Sequence, residues 1–197
     1  YTLWHTLSLH DALPISYIQV GAAGEALPYA ERAVELNPQS QQAWSNLAAT
    51  YSLLGRYTEA IDTYRQAAEI GELADPVLLG LADAHIRLGN FQRAINTLTS
   101  LIQRSPTSTA YERMGYAQYK LRRFEEALSS FERALSYDAR DTAALNGVGV
   151  ALMTLYIEGG RESVARRDRA LASWRRSVQI NSQQPRIIDL LARYGRF

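Results

Sequence analysis

Side chains capable of acid–base and nucleophilic chemistry concentrate near the start of the sequence. Residues 5–16 contain His5, His10 and Asp11 together with Ser8. These are the residue types of a hydrolytic triad, but a triad needs partners that a fold places around it. No later segment continues the pattern, so these residues by themselves predict no catalytic site.

The same segment has a simpler interpretation at the level of DNA. Residues 6–15 read Thr-Leu-Ser-Leu-His-Asp-Ala-Leu-Pro-Ile, which one reading frame of a common sequencing adapter encodes without a mismatch. We therefore predict that residues 1–16 are a non-native, adapter-derived segment, exclude them from fold reasoning, and expect the natural start of the protein to be missing.

Composition excludes several classes of protein. The formal net charge is +1, so the whole chain lacks the electrostatic signature of a nucleic-acid or membrane binder. There is no cysteine and no apolar run of the roughly 18 residues that a membrane span needs. Lys120 is the only lysine among 21 basic residues, a bias that suggests a GC-rich bacterium. None of this separates a cytoplasmic from a periplasmic location.

A repeat with a period near 34 residues organises the rest of the chain. Gly21, Gly55 and Gly89 are 34 residues apart. Amphipathic stretches with helical spacing precede and follow each glycine, which predicts a pair of helices joined at the glycine. Small residues recur in the second helix of each pair, at Ala26, Ala60, Ala94, Ala127 and Ala170. We expect Ala60, Ala94 and Ala127 to be buried.

This pattern resembles the tetratricopeptide repeat. The matching residues are Trp44, Leu47, Tyr51, Ala60, Tyr64 and Ala67 in one repeat, and Tyr111, Met114, Gly115, Ala127, Phe131 and Ala134 in another. The resemblance implies an all-α, right-handed superhelical solenoid over residues 17–197. Its repeats would span about 17–40, 41–74, 75–107, 108–141 and 142–183, with a capping helix at 185–197.

Three local features add expectations. Asp75-Pro76 reads as an N-cap followed by a first-turn proline. The fifth repeat is nine residues longer than the period, and we place the extra residues between its helices, where Gly159-Gly160 breaks the chain before a helix over about 163–180. In the capping helix, Ile188, Leu191 and Tyr194 share the packed face.

In this family the first helices of the repeats line the concave side of the solenoid. Our candidate groove residues lie on the face of each first helix opposite the face that packs against the second helix. Tyr116 and Tyr119 offer rigid amphipathic area for a peptide, and Arg87 with Lys120 suits a carboxylate. We expect these four side chains to be unnecessary for stacking. The alternative is that the tyrosines pack between repeats and the charges are merely solvated. The full candidate set is Asn46, Leu79, Asp83, Ile86, Arg87, Glu112, Tyr116, Tyr119, Lys120 and Asn146.

Other signals predict no separate site. Asn46 and Arg113 suit the carboxylate clamp that related proteins use for chaperone tails, but the lysines of that clamp are absent. Residues 161–197 hold nine arginines against three acids. Such a patch could meet RNA or an acidic partner, but without an RNA-reading motif we interpret it as a solvated helix face. His85 aligns with Tyr51 and is interpreted as a packing residue.

The sequence therefore predicts a protein–protein interaction scaffold that binds a peptide or helix of a partner in the concave groove. The alternative is an accessory repeat region of a larger bacterial envelope protein or multidomain enzyme. We expect no enzymatic activity by the chain itself, no cofactor or metal site, and no small-molecule substrate. A protein or peptide is the expected partner, and nucleic acid is not.

Overall fold

The computed structural model describes residues 23–195, and throughout this range the fold is helical without strands. The predicted adapter segment lies outside the described residues, so that interpretation stays a prediction. Ten helices follow one another in the described range: α1 (Ala23–Leu36), α2 (Gln41–Leu53), α3 (Tyr57–Ile70), α4 (Asp75–Arg87), α5 (Phe91–Arg104), α6 (Ser108–Lys120), α7 (Phe124–Tyr137), α8 (Thr142–Glu158), α9 (Val164–Ile180) and α10 (Pro185–Tyr194). The predicted all-α class is confirmed.

Most of the first helices of the repeats have a side-chain cap at their N-terminus. Ser40, Thr107 and Asp141 precede α2, α6 and α8, and each side chain accepts a hydrogen bond from a backbone N–H of the first helical turn. These bonds satisfy donors that a helix start leaves without an intrahelical partner. The expected N-cap at Asp75 is wrong. The cap position of α4 is Ala74, with no side-chain bond, and Asp75 and Pro76 already lie inside the helix.

Left-handed backbone geometry closes the turns within the repeats. Gly55 and Gly89 have φ values of 74° and 76°, a region that glycine enters without a Cβ penalty. The equivalent position of the fourth repeat is Arg122, with φ of 61°. The turn geometry is therefore kept even where the glycine is not.

The chain divides into two compact units, and the division falls within α5, between Arg93 and Ala94. In the N-terminal unit, each helix from α1 to α4 packs against the next one along the chain, and α2 also contacts α4. Its core includes a cluster in which Tyr64 lies against Ala48 and Ala60. The small residues allow two helices to approach, and the aromatic ring fills the space that remains.

In the C-terminal unit, the helices from α6 to α10 pack in the same consecutive manner, and α6 also contacts α8. Phe131 and Trp174 anchor one apolar core together with Val148 and Leu152. The expected burial of Ala60, Ala94 and Ala127 is confirmed, since each is fully buried.

The predicted longer helix over about 163–180 is confirmed by α9, but the fifth repeat places most of its extra residues within its helices and not between them. Helices α8 and α9 have 17 residues each, whereas α6 has 13 and α7 has 14. Most of the insertion therefore lengthens the two helices by about one turn each, and only a short link around Gly159 and Gly160 separates them.

The capping helix α10 packs on α9 through a face that contains two of the three predicted residues. Ile187 is buried, and Leu191 and Tyr194 also pack against the core. Ile188 is 45% exposed, so its expected place on the packed face is wrong.

Candidate functional site

Helix α6 in the C-terminal unit presents Tyr116 and Lys120 on its outer side. Ala110, Gly115 and Ala117 of the same helix are buried, and so is Glu112, one turn before Tyr116, whereas Tyr116 and Lys120 are exposed. Tyr116 is 41% exposed, which is high for a large aromatic side chain. The Lys120 ammonium lies 6.0 Å from the centroid of the Tyr116 ring, within cation–π range.

Tyr119 has a different role from Tyr116, although both belong to the predicted face. Its hydroxyl lies 3.0 Å from the Thr154 hydroxyl of α8, and its ring centroid lies 5.2 Å from that of Phe124. The side chain is partly buried against the core of the C-terminal unit. The expectation that Tyr119 is unnecessary for stacking is therefore wrong.

Two polar residues of the predicted set in the C-terminal unit form polar contacts with neighbouring side chains. Glu112 is buried, and its carboxylate lies 2.5 Å from the Arg113 guanidinium. The Asn146 side-chain amide donates to Gln184 at 2.6 Å, at the point where the chain enters α10. The Asn146 Oδ1 atom is buried without a hydrogen-bond partner among the described residues.

In the N-terminal unit, α4 carries the other part of the predicted set. Leu79, Asp83 and Ile86 are half-buried and Arg87 is exposed. The Arg87 Nε donates to the Tyr57 hydroxyl at 2.9 Å, and its guanidinium lies 5.4 Å from the centroid of that ring. The Arg87 guanidinium is thus held in one orientation at the surface.

Asn46 on α2 is buried, unlike the exposed groove residue we expected. Its Oδ1 accepts a hydrogen bond of 2.8 Å from Gln42, and its carbonyl accepts one from the Thr50 hydroxyl. The side chain is therefore oriented by its own helix.

Tyr57 is a residue that sequence reasoning missed. It opens the second helix of its repeat, whereas the candidate face was drawn from first helices alone. Its partner Arg87 ends α4, the first helix of the next repeat, 30 residues further along the chain.

His85 is buried, which confirms its interpretation as a packing residue. Burial lowers the pKa of its imidazole, and the charges of Arg93 and Arg65 lower it further. Its Nδ1 has no hydrogen-bond partner among the described residues. These conditions favour the neutral imidazole.

Neither a metal centre nor a membrane span is found in the part of the chain that the structure describes. No three histidine, aspartate or glutamate side chains between residues 23 and 195 are grouped as metal ligands would be. Within the same range, no helix combines the length and the apolar character that crossing a bilayer requires.

Comparison with known families agrees with the helix pairs and their small-residue contacts. Three models of the tetratricopeptide repeat match the chain, at residues 29–62, 54–119 and 108–141. The chain belongs to the tetratricopeptide-repeat family. No curated protein matches the sequence of this tetratricopeptide-repeat chain significantly.

Several solved structures share the fold of this tetratricopeptide-repeat chain. PilF of Pseudomonas aeruginosa is 20% identical with a TM-score of 0.81, and the match covers 99% of this chain and 85% of PilF. MamA of Desulfovibrio magneticus RS-1 is 13% identical with a TM-score of 0.77, covering 90% of this chain and 96% of the other. YrrB, described as a tetratricopeptide-repeat protein with an unusual peptide-binding site, is 19% identical with a TM-score of 0.73, covering 92% and 89%. At these identities the likeness is one of fold.

Proposed function

We propose that this tetratricopeptide-repeat chain is a protein-interaction scaffold and that Tyr116 anchors a segment of the partner on α6. The observation that carries the proposal is the exposure of Tyr116, at 41%, on a helix whose other side is packed. A tyrosine supplies a large rigid contact with few rotatable bonds, and tyrosines are enriched among the residues that dominate binding energy.

The charged neighbours of these faces indicate the chemistry of the partner. Lys120, one turn from Tyr116, suits a carboxylate beside an apolar or aromatic side chain. In the N-terminal unit, Arg87 held by Tyr57 offers a second oriented cation beside the half-buried Leu79 and Ile86. The peptide-binding site named for YrrB supports this use of the fold.

Selection from a library of random peptides tests the proposal. Peptides selected on the unaltered chain should bind the Tyr116→Ala variant at least tenfold more weakly, since truncating an aromatic hot spot costs about 2 kcal/mol or more. Tyr137→Ala is the matched control, because Tyr137 is 44% exposed but lies on α7. The assignment would be overturned if both variants lost the same peptide affinity, or if Tyr116→Ala lost none.

Lys120 provides a second readout that needs no mutation. It is the only lysine of the chain, so an amine-acylating reagent reports on one ε-amine. A bound peptide should slow acylation of Lys120 at least threefold if it covers about two-thirds of the molecules or more. An unchanged rate at saturating peptide would place the binding surface away from α6.

A further inference from the structure

A groove of about 260 Å³ lies in the C-terminal unit, on the side of α8 where α7 and α9 pack. Its floor is formed by Leu145 and Val148 of α8, both nearly fully buried, and Leu135 of α7 lies along one wall. The lining is mainly apolar. The groove belongs to none of the faces assigned above.

Two arginines of α9 border this groove. Arg169 reaches across to form an ion pair with Glu132 of α7. Arg176 reaches across to donate to the backbone carbonyl of Ala139 at 2.9 Å. A guanidinium has five N–H donors, so each arginine keeps donors for a further acceptor.

The two arginines differ in how their charge is balanced. Arg169 has a carboxylate partner, whereas Arg176 has none among the described residues and bonds only to a carbonyl. Among the lining residues, two arginines stand against one carboxylate, Glu132, so the groove combines an apolar floor with one uncompensated positive charge.

The spacing of the arginines sets the length of a ligand that meets both. Arg176 lies seven positions after Arg169, which corresponds to about 10 Å along a helix. In an extended peptide alternate side chains share a face, so two carboxylates four residues apart, about 13 Å, flank one side chain on that face, and the flexible arginine side chains can reach both. Ala172 and Ser173 lie between the arginines in the lining and leave room for one aliphatic side chain.

We propose that this arginine-bordered groove is a second peptide-binding surface, which takes an extended acidic segment with an aliphatic side chain midway between two carboxylates four residues apart. The aliphatic side chain would bury itself against Leu145 and Val148, and the carboxylates would bind Arg169 and Arg176 as charge-assisted pairs. The groove shares no lining residue with the α6 site.

The lining favours a peptide over a nucleic acid. Proteins that bind single strands without sequence preference stack bases on aromatic side chains, and the groove has none among its lining residues. A phosphate chain would bring no apolar group to cover the aliphatic floor.

A labelled peptide with the core Glu-Ala-Leu-Ala-Glu, flanked by glycine and serine, tests the proposal by fluorescence anisotropy with the full chain. Arg176→Gln should weaken its binding about fivefold, the upper range for one partly exposed ion pair. Arg175→Gln is the matched control, because Arg175 is the neighbouring exposed arginine but does not line the groove. It should bind within twofold of the unaltered chain, as should Tyr116→Ala.

Four outcomes would overturn the proposal. Equal losses of peptide affinity in Arg175→Gln and Arg176→Gln would show diffuse charge attraction. Unchanged binding of a Glu-Ala-Gly-Ala-Glu peptide would show that the apolar floor is not used. Displacement by polyuridylate at lower concentration than by the unlabelled peptide would make a nucleic acid the occupant. The chain could instead self-associate in a concentration-dependent manner, lose this association in Arg176→Gln, and bind no peptide. That result would identify a second copy of the chain as the occupant of the groove.

Discussion

The Phe131 ring of α7 lies directly against the backbone of Gly115 in α6. A β-carbon on Gly115 would lie 2.8 Å from the ring, and one on Gly147 of α8 would be closer still. Trp174 bears the same relationship to Gly149 one repeat later. Two glycines thus allow the three helices of this core to approach around one aromatic ring.

Gly115→Ala should destabilise the protein. The added carbon would force the Phe131 ring or the helices apart, at a cost of about 1–3 kcal/mol, which exceeds the gain in helix propensity. Chemical denaturation measures the change. Gly24→Ala in α1 is the control, because a β-carbon there would meet no described atom within 4 Å. That variant should gain about 0.5 kcal/mol, and a loss from it would contradict the steric argument.

Gly55→Ala should lower the free energy of unfolding by about 1 kcal/mol. A β-carbon at Gly55 has open space around it, but its φ of 74° is costly for any side chain. The loss is therefore conformational and should leave the helix content by circular dichroism unchanged. A variant as stable as the unaltered chain would show that the turn adopts another geometry in solution.

Tyr119→Ala and Tyr116→Ala should separate packing from binding. Tyr119 is partly buried and hydrogen-bonded to Thr154, so its truncation should cost about 3 kcal/mol. Tyr116 is exposed, and its truncation should change stability by no more than about 0.5 kcal/mol. Thermal melts of the two variants give the comparison, and similar midpoints would mean that Tyr119 is not packed as described.

Acidification should destabilise the fold through His85. Burial and the nearby charges of Arg93 and Arg65 lower its pKa in the folded state, so the unfolded chain binds the proton first as the pH falls. The contribution of neutral His85 to the free energy of unfolding is complete above the ordinary histidine pKa of about 6.5 and is lost as the pH falls below it. Denaturation curves between pH 7.5 and 5.5 should show a steeper loss in the unaltered chain than in His85→Gln, and parallel losses would exclude His85 as the cause.

The sequence by itself determined the helix pairs. A period near 34 residues, with alanine at fixed places, specifies where helices approach closely, because only small side chains permit that distance. Ala60, Ala94 and Ala127 could therefore be identified as buried before any contact was known. The tetratricopeptide-repeat family follows from the same pattern.

The tertiary structure decided which polar and aromatic side chains remain exposed. Tyr116 and Tyr119 stand on the same predicted face, yet Tyr119 is partly buried against Thr154 and Phe124, whereas Tyr116 is exposed. Asn146 is likewise held by Gln184, 38 residues further along the chain. Helical spacing gives the direction of a side chain, whereas its exposure depends on which residues of neighbouring helices reach it, and that depends on packing between distant parts of the sequence.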